Sequence, residues 1–379
     1  MSNYEKIIPI VNKITKKYDL CDHCLGRLFS KQLHLTSNKL LGKKLNQKSM
    51  EKCYVCKNLF DNLDHFLKLM LDASADYSFK TFSVGSMIKP SIVDRDDFIR
   101  SLYKLKGIDS IKADITKELG KLYSKKTKKI IDHLDPDITF TINLKDESCE
   151  LHSKSITISG RYVKPERGFF QKQKPCENCS GKGCRVCDFH GITEFDSIEG
   201  AISKLLFKKF GGTTTKFTWI GGEDKSSLVL GNGRPFFVKI QNPNKRNAKL
   251  SDTTINSIKI NHLKLVYGSP KKPLKFNSVI CAKISTESQI DSKSLKKLKD
   301  LTIGPVVVYE KSGKRSEKKI FDVKFKKNSK NLFTMIIKAE GGLPIKRFVI
   351  GDDITPGIST ILDTRCECRE FDFLEIEIQ

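Results

Sequence analysis

A chain of 379 residues is too long for one ordinary hydrophobic core and is expected to divide into two or three domains. Its 38% hydrophobic and 30% charged residues fall in the globular range, which excludes a disordered polymer or a membrane-embedded bundle. Lys and Arg outnumber Asp and Glu by 69 to 44, and this +25 excess recurs from end to end, so the natural partner is an extended polyanion such as nucleic acid. From Met1 to Leu20 lysines interrupt the apolar residues, which does not fit a secretory signal. No run of about 18 apolar residues occurs that would span a bilayer, so a cytoplasmic location without membrane contact is expected.

In chain order, Ile7, Val11, Ile14 and Tyr18 recur at helical spacing and predict a helix over Tyr4 to Tyr18. Leu59, Leu63, Phe66 and Met70 form a second such stripe. Strand-like runs follow at Tyr77 to Ser83, Ile138 to Leu144 and Ser155 to Ile158, with helical stretches around Arg100 to Lys104 and Ile111 to Ile131. Gly120 to Lys129 carries five lysines and no acid, which suits either a phosphate backbone or plain solvent. Asp196 and Glu199 resemble a capping box opening a helix striped by Ile198, Ile202, Leu205 and Leu206 and ended by Gly211-Gly212. Strand-like segments then dominate: Thr213 to Ile220, Phe236 to Ile240, Ser278 to Ile284, Gly304 to Tyr309, Ile320 to Phe325, Leu332 to Lys338 and Phe371 to Ile378. The last alternates Leu374, Ile376 and Ile378 with Glu375 and Glu377, which predicts a strand at the side of a sheet with one wet face.

Eight of the 12 cysteines form four C-x-x-C pairs: Cys21 and Cys24, Cys53 and Cys56, Cys176 and Cys179, Cys184 and Cys187. Two residues between cysteines let both thiolates of a tight turn reach one tetrahedral ion, and two such turns close the site. Two structural zinc ions are therefore expected. A disulfide framework competes, but a long chain without a secretory signal argues for a reducing compartment. Four thiolates leave no open position for water, so each metal would staple loops and not drive chemistry. His23 and His190 are substitute ligands that neither set needs. Gly181 and Gly183 permit the sharp reversal in the second, compact set.

The segment from Phe217 to Phe236 reads as strand, glycine turn, the acid pair Glu223-Asp224, a second glycine turn and another strand. An acid displayed on a surface meant for phosphate would repel it, so Asp224 suggests a task. No P-loop or dinucleotide fingerprint appears, which removes ATP and NAD as obvious cofactors.

Four blocks together resemble the archaeal-type tRNA pseudouridine synthase family that modifies uridines 54 and 55 of the T-loop. They are C-D-H-C-L-G-R with its later C-Y-V-C, the run from Ser159 to Gln171 leading into the second cysteine set, G-E-D with L-G-N-G-R-P-F, and Glu340 to Asp352. The second cysteine set also resembles half a unit of the zinc domain of J-domain co-chaperones, a family that strings together four such repeats where this chain has one. The synthase resemblance implies an α+β fold. Residues 1–57 would form a helical zinc-binding region and 58–170 a THUMP-like RNA-binding α/β module. Residues 171–379 would form a pseudouridine synthase domain with a mainly antiparallel central sheet.

The resemblance implies that Asp224 starts cleavage of the bond between ribose and N1 of uracil, on tRNA, without an organic cofactor. No obligate protein partner is implied. The family's arginines correspond to Gly222 and Leu228, and its substrate-stacking tyrosines to Ile280 and Pro344. Arg234 and Lys346 would supply part of the missing positive charge, so Arg234, Ile280, Pro344 and Lys346 are the expected substrate-binding residues. The alternative is a non-catalytic tRNA-binding or tRNA-chaperone protein that keeps the synthase scaffold.

Overall fold

The computed structural model describes residues 3–35, 37–46, 51–310 and 313–379. The chain divides into two compact units, Met1–Lys154 and Ser155–Gln379. The boundary expected after residue 170 therefore lies earlier, because the strand beginning at Ile156 pairs within the second unit. The region 1–57 is likewise not separate, since its apolar side chains share one core with the rest of the first unit.

In the first unit the helices are α1 (Asn3–Lys17), α2 (Asp22–Ser30), α3 (Asn38–Leu45), α4 (Leu63–Ala73), α5 (Pro90–Leu102) and α6 (Ile111–Thr127). The strands are β1 (Thr81–Met87), β2 (Ile130–Ile131), β3 (Ile138–Asn143) and β4 (Ser148–Ser153). The sheet order is β2-β1-β3-β4, with β1 parallel to β2 and β3. As the stripe predicts, α1 buries Ile7, Val11 and Ile14. The helix expected to run to Ile131 stops at Thr127, where Lys128 turns left-handed and Ile130 joins the sheet. Helices α2 and α3 press together at two glycines: a Cβ on Gly26 would lie 1.9 Å from the Asn38 carbonyl oxygen, and one on Gly42 1.8 Å from that of Asp22. From α2, Arg27 is buried in an ion pair with Asp96, and its Nη1 donates to the Asp109 carbonyl at 2.8 Å.

The second unit contains β5 (Ile156–Lys164), α7 (Ile198–Phe210), β6 (Thr215–Trp219), β7 (Val229–Ile240), β8 (Thr253–Ile255), β9 (Ile258–Val266) and β10 (Phe276–Thr286). There follow α8 (Ser292–Lys296), β11 (Val306–Tyr309), β12 (Arg315–Lys318), β13 (Ile320–Ser329) and β14 (Leu332–Glu340). The elements α9 (Ile345–Ile350), β15 (Ile354–Thr355), α10 (Ile358–Leu362) and β16 (Cys366–Ile378) complete it. Eight strands run in the order β13-β14-β10-β16-β7-β5-β9-β8, with β6 on β7 as the ninth, and all but the β16–β7 pair are antiparallel. The fold class is thus α+β, as expected.

Three local expectations change. The alternating strand expected at the side of a sheet is β16, which sits between β10 and β7, because both of its edges find partners. Helix α7 is capped by Ser197, whose side chain accepts from Gly200 N, while Asp196 and Glu199 bond to Gln173 instead. The second glycine turn is no turn, for Gly231 and Gly233 lie inside β7 at positive φ beside a register shift.

Candidate active site

One edge of β7 pairs with β5 along its length, while the other passes from β6 at Phe236–Ile240 to β16 at Val229. The loop 220–228 joins β6 to β7 at that fork and carries both acids. Its entry requires glycine: Gly221 has φ +78°, and a Cβ there would meet Arg234 Nη1 at 2.6 Å and Phe276 Cζ at 2.7 Å. Its exit is pinned by backbone, since Leu228 N donates to Asp372 Oδ1 at 2.8 Å and Phe373 N donates to the Leu228 carbonyl at 3.0 Å.

The two acids meet opposite environments. Glu223 has a fully buried side chain, held at 3.1 Å by Lys164 Nζ and at 3.1 Å by Arg234 Nε, both also buried. Asp224 is 44% exposed and its Oδ2 lies 2.6 Å from Lys346 Nζ. Lys164 links the two, because its Nζ also donates to the Asp224 carbonyl at 3.0 Å. Burial pulls the Lys164 ammonium below its ordinary value, while the Glu223 carboxylate pulls it back up. Buried and countered on two sides, Glu223 serves as the foot of the loop, and Asp224 beside it is the acid that reaches the surface.

Two cavities share Asp224 and Lys346 in their walls. One, of about 330 Å³, adds Gly222, Pro344, Phe371 and Phe373. The other, of about 390 Å³, adds Arg167, Gly168 and Lys225. Arg167 is fixed by a two-pronged bond to Asp372, Nη1 to Oδ1 at 2.6 Å and Nη2 to Oδ2 at 2.9 Å. Phe371 and Phe373 stand edge to face with centroids 5.8 Å apart.

Of the expected substrate-binding residues, Pro344 and Lys346 are at the cavity and two are not. Arg234 is buried, with its Nη1 donating to the Ile220 carbonyl at 2.8 Å and its guanidinium 4.3 Å from the Phe373 ring centroid. It supports the loop and the ring from behind. Ile280 is buried in β10 between Ile337 and Phe373. Directly opposite residues project to the same sheet face. Phe373, one strand over on that face, is also buried but lines the 330 Å³ cavity. Gly222 is not forced by crowding, since a Cβ there would meet only Gln171 Oε1, at 3.8 Å.

Sequence reasoning named Glu223 only as half of the acid pair and gave no place to Lys164, Phe371 or Phe373 at this site. Lys164 and Arg167 stand in the run from Ser159 to Gln171, which was legible as a block but not residue by residue.

Both cysteine sets come together. Within each, the four Sγ atoms lie within 4.8 Å of one another. Zinc–sulfur bonds of about 2.3 Å in a tetrahedron imply S···S edges of roughly 3.8 Å. The spacings are 3.6 Å for Cys21···Cys56, 4.0 Å for Cys176···Cys184 and 3.8 Å for both Cys179···Cys187 and Cys184···Cys187, far longer than a disulfide. Amide donors face the sulfurs as thiolates require, among them Cys21 N to Cys53 Sγ at 3.3 Å and Gly191 N to Cys187 Sγ at 3.2 Å. The Asn178 amide, 3.2 Å from Cys184 Sγ, holds that thiol down to about 6. Neither histidine joins a set: His23 stacks on Phe60, and His190 stacks on Phe207 with Nδ1 at the Thr213 carbonyl. Both groups are compatible with structural zinc.

Two family models match the chain: "Pus10, C-terminal" over residues 157–377 and "Pus10 THUMP domain, archaeal" over 66–143. The chain belongs to the Pus10 family. It is 68% identical to "tRNA pseudouridine synthase Pus10" of Nitrosopumilus maritimus over the full length of both chains. The Cenarchaeum symbiosum protein of that name is 34% identical, over 96% of this chain and 90% of its own. That of Methanocaldococcus jannaschii is 30% identical, over 97% and 94%. Pus10 membership makes the chain an isomerase with pseudouridine synthase activity. Among the described residues no helix is long and apolar enough to cross a membrane.

Proposed function

We propose that this Pus10 chain isomerises uridine to pseudouridine in the T-loop of tRNA, at position 54, 55 or both, with Asp224 as the reacting carboxylate and no organic cofactor. The carrying observation is that Asp224, the exposed member of the adjacent acid pair, stands in the wall of a cavity lined also by Lys346 and two phenylalanines. An everted uracil would enter beside Pro344 and Lys346, against the part of Phe371 and Phe373 that lines the cavity. Asp224 would act as nucleophile or base while the bond between N1 and C1′ breaks. The base then turns, C5 bonds to C1′, and the C5 proton is released as N1 gains one, so the product is an isomer of the substrate. Lys346 holds the carboxylate at the cavity wall, and Lys164 fixes the backbone beneath it.

Tritium release from tRNA labelled at uridine C5 tests the reading. Wild type should release tritium and Asp224→Ala should not. Equal release from both would end the proposal. Mapping pseudouridine in treated transcripts then decides between positions 54 and 55. The excess of +25 predicts that tRNA binding weakens steeply with salt.

We also propose that Cys21, Cys24, Cys53 and Cys56 hold one zinc ion and Cys176, Cys179, Cys184 and Cys187 another. Zinc would supply no reaction chemistry there, only closed coordination of four thiolates. Elemental analysis of natively purified, reduced protein should give about two zinc per chain. Finding none would refute both closed sites.

A further inference from the structure

The run from Ser159 to Gln171 contains two adjacent phenylalanines with different fates. Phe169 packs against the core of the second unit, whereas Phe170 is 54% exposed and forgoes the burial that draws its neighbour inward. Its backbone is not loose. The Phe170 carbonyl accepts from Ile198 N at 3.0 Å, and the Gln171 carbonyl accepts from Glu199 N at 3.0 Å. On the other side Gly168 N donates to the Lys225 carbonyl at 2.9 Å, which ties this loop to the one bearing Asp224. The Gln171 amide adds bonds to Tyr162 OH at 3.0 Å and to the Gly221 carbonyl at 3.2 Å.

A ring presented to solvent by a backbone braced on both flanks is suited to receive something flat. Lys225 Nζ lies 4.8 Å from the Phe170 centroid. Lys225 also lines the 390 Å³ cavity whose wall includes Asp224, so the exposed ring stands beside the reacting carboxylate. Lys172, two residues on, is exposed as well.

Everting one nucleotide strips its neighbours of a stacking partner, and an aromatic ring can replace that partner while cations meet the phosphates. The geometry points to Phe170 as the stacking platform for the nucleobase next to the everted uridine, with Lys225 and Lys172 meeting that nucleotide's phosphates. This inference rests on reading the Asp224 cavity as the place where uridine is everted.

The test uses the full chain and tRNA transcripts carrying 2-aminopurine on either side of the T-loop uridines. Affinity and fluorescence are measured for wild type, Phe170→Ala, Phe170→Leu and Phe170→Trp, alongside pseudouridine formation. Stacking predicts that alanine weakens binding about tenfold and relieves quenching at one flanking position, that leucine recovers little, and that tryptophan restores both. Alanine or leucine binding within twofold of wild type, with quenching unchanged, overturns the platform. Binding and quenching answer this even if wild type forms no pseudouridine. That result would sink the proposed reaction while leaving the stacking question decided. Thermal melts of the alanine variant should match wild type, since the ring makes little of the core.

Discussion

Each unit buries an ionic cluster, and among fully buried groups the two carry opposite surpluses. In the first, the fully buried cation Arg27 faces two buried carboxyls, Asp96 and Asp114, with the half-buried Arg100 3.9 Å from Asp96. In the second, one carboxyl, Glu223, faces two buried cations, Lys164 and Arg234. Burial pushes the Asp114 carboxyl up to about 6, with Asn38 Nδ2 donating to it at 2.7 Å. In the second, burial pulls the Lys164 ammonium below its ordinary value while Glu223 draws it back up, and the cluster lies directly beneath the Asp224 loop. The first cluster titrates through an acid, and the second packs beneath the loop that carries Asp224.

The largest effect expected from breaking this contrast is that of Glu223→Ala, which leaves two buried cations without a counter-charge and should cost about 3–5 kcal/mol in a denaturant titration. Arg27→Ala should cost about 3 kcal/mol at pH 7. Its deficit should shrink towards pH 5 as the stranded carboxyls take protons, whereas that of Glu223→Ala should not. If both deficits keep the same pH dependence, the contrast fails.

A smaller effect isolates Asp114. Its folded pKa of about 6 exceeds the ordinary 3.8, so the folded state retains a proton that the unfolded chain releases between these values. Stability therefore falls as pH rises from 4 through 6, by about 2 kcal/mol relative to Asp114→Asn, whose side chain does not titrate. Melting both proteins across that range checks the sign.

The smallest stability change, under about 1 kcal/mol, is expected for Lys164→Met, which leaves Glu223 and Arg234 as a balanced pair. Its mark should be kinetic. Turnover on tRNA should drop about tenfold while KM holds, because the support under the Asp224 carbonyl is lost. A rise in KM at constant kcat would place Lys164 in substrate binding instead.

What was legible in the sequence was periodic or spaced. The α1 stripe, the strand at β3 and the four C-x-x-C pairs each depend on neighbours a few residues apart, and the structure bears all of them out as elements or clusters. Asp224 was legible through its glycine-flanked acid pair and the resemblance. Its companion Glu223 was not, because its partners Lys164 and Arg234 are fixed by tertiary packing, and an isolated lysine or arginine reads as a surface residue by default. The burial of Ile280 and Arg234 was illegible for the same reason: alignment to a motif gives position along a strand, not whether the side chain meets solvent. Phe371 and Phe373 alternate as a core face should, and only the neighbouring loop and α9 turn that face into a cavity wall.

The placement of β16 bears on how the enzyme comes into being. Its residues are drawn from far along the chain to lie between β10 and β7, with Asp372 bonded to Leu228 across 144 positions. Loop-closure entropy must be spent before so distant a pairing returns anything, which slows assembly. Until that insertion happens the two flanks of the sheet have no common member and Asp224 faces no aromatic wall. Completion of the sheet and pinning of the Asp224 loop are then one event, since Asp372 and Phe373 of β16 hold the exit of that loop at Leu228.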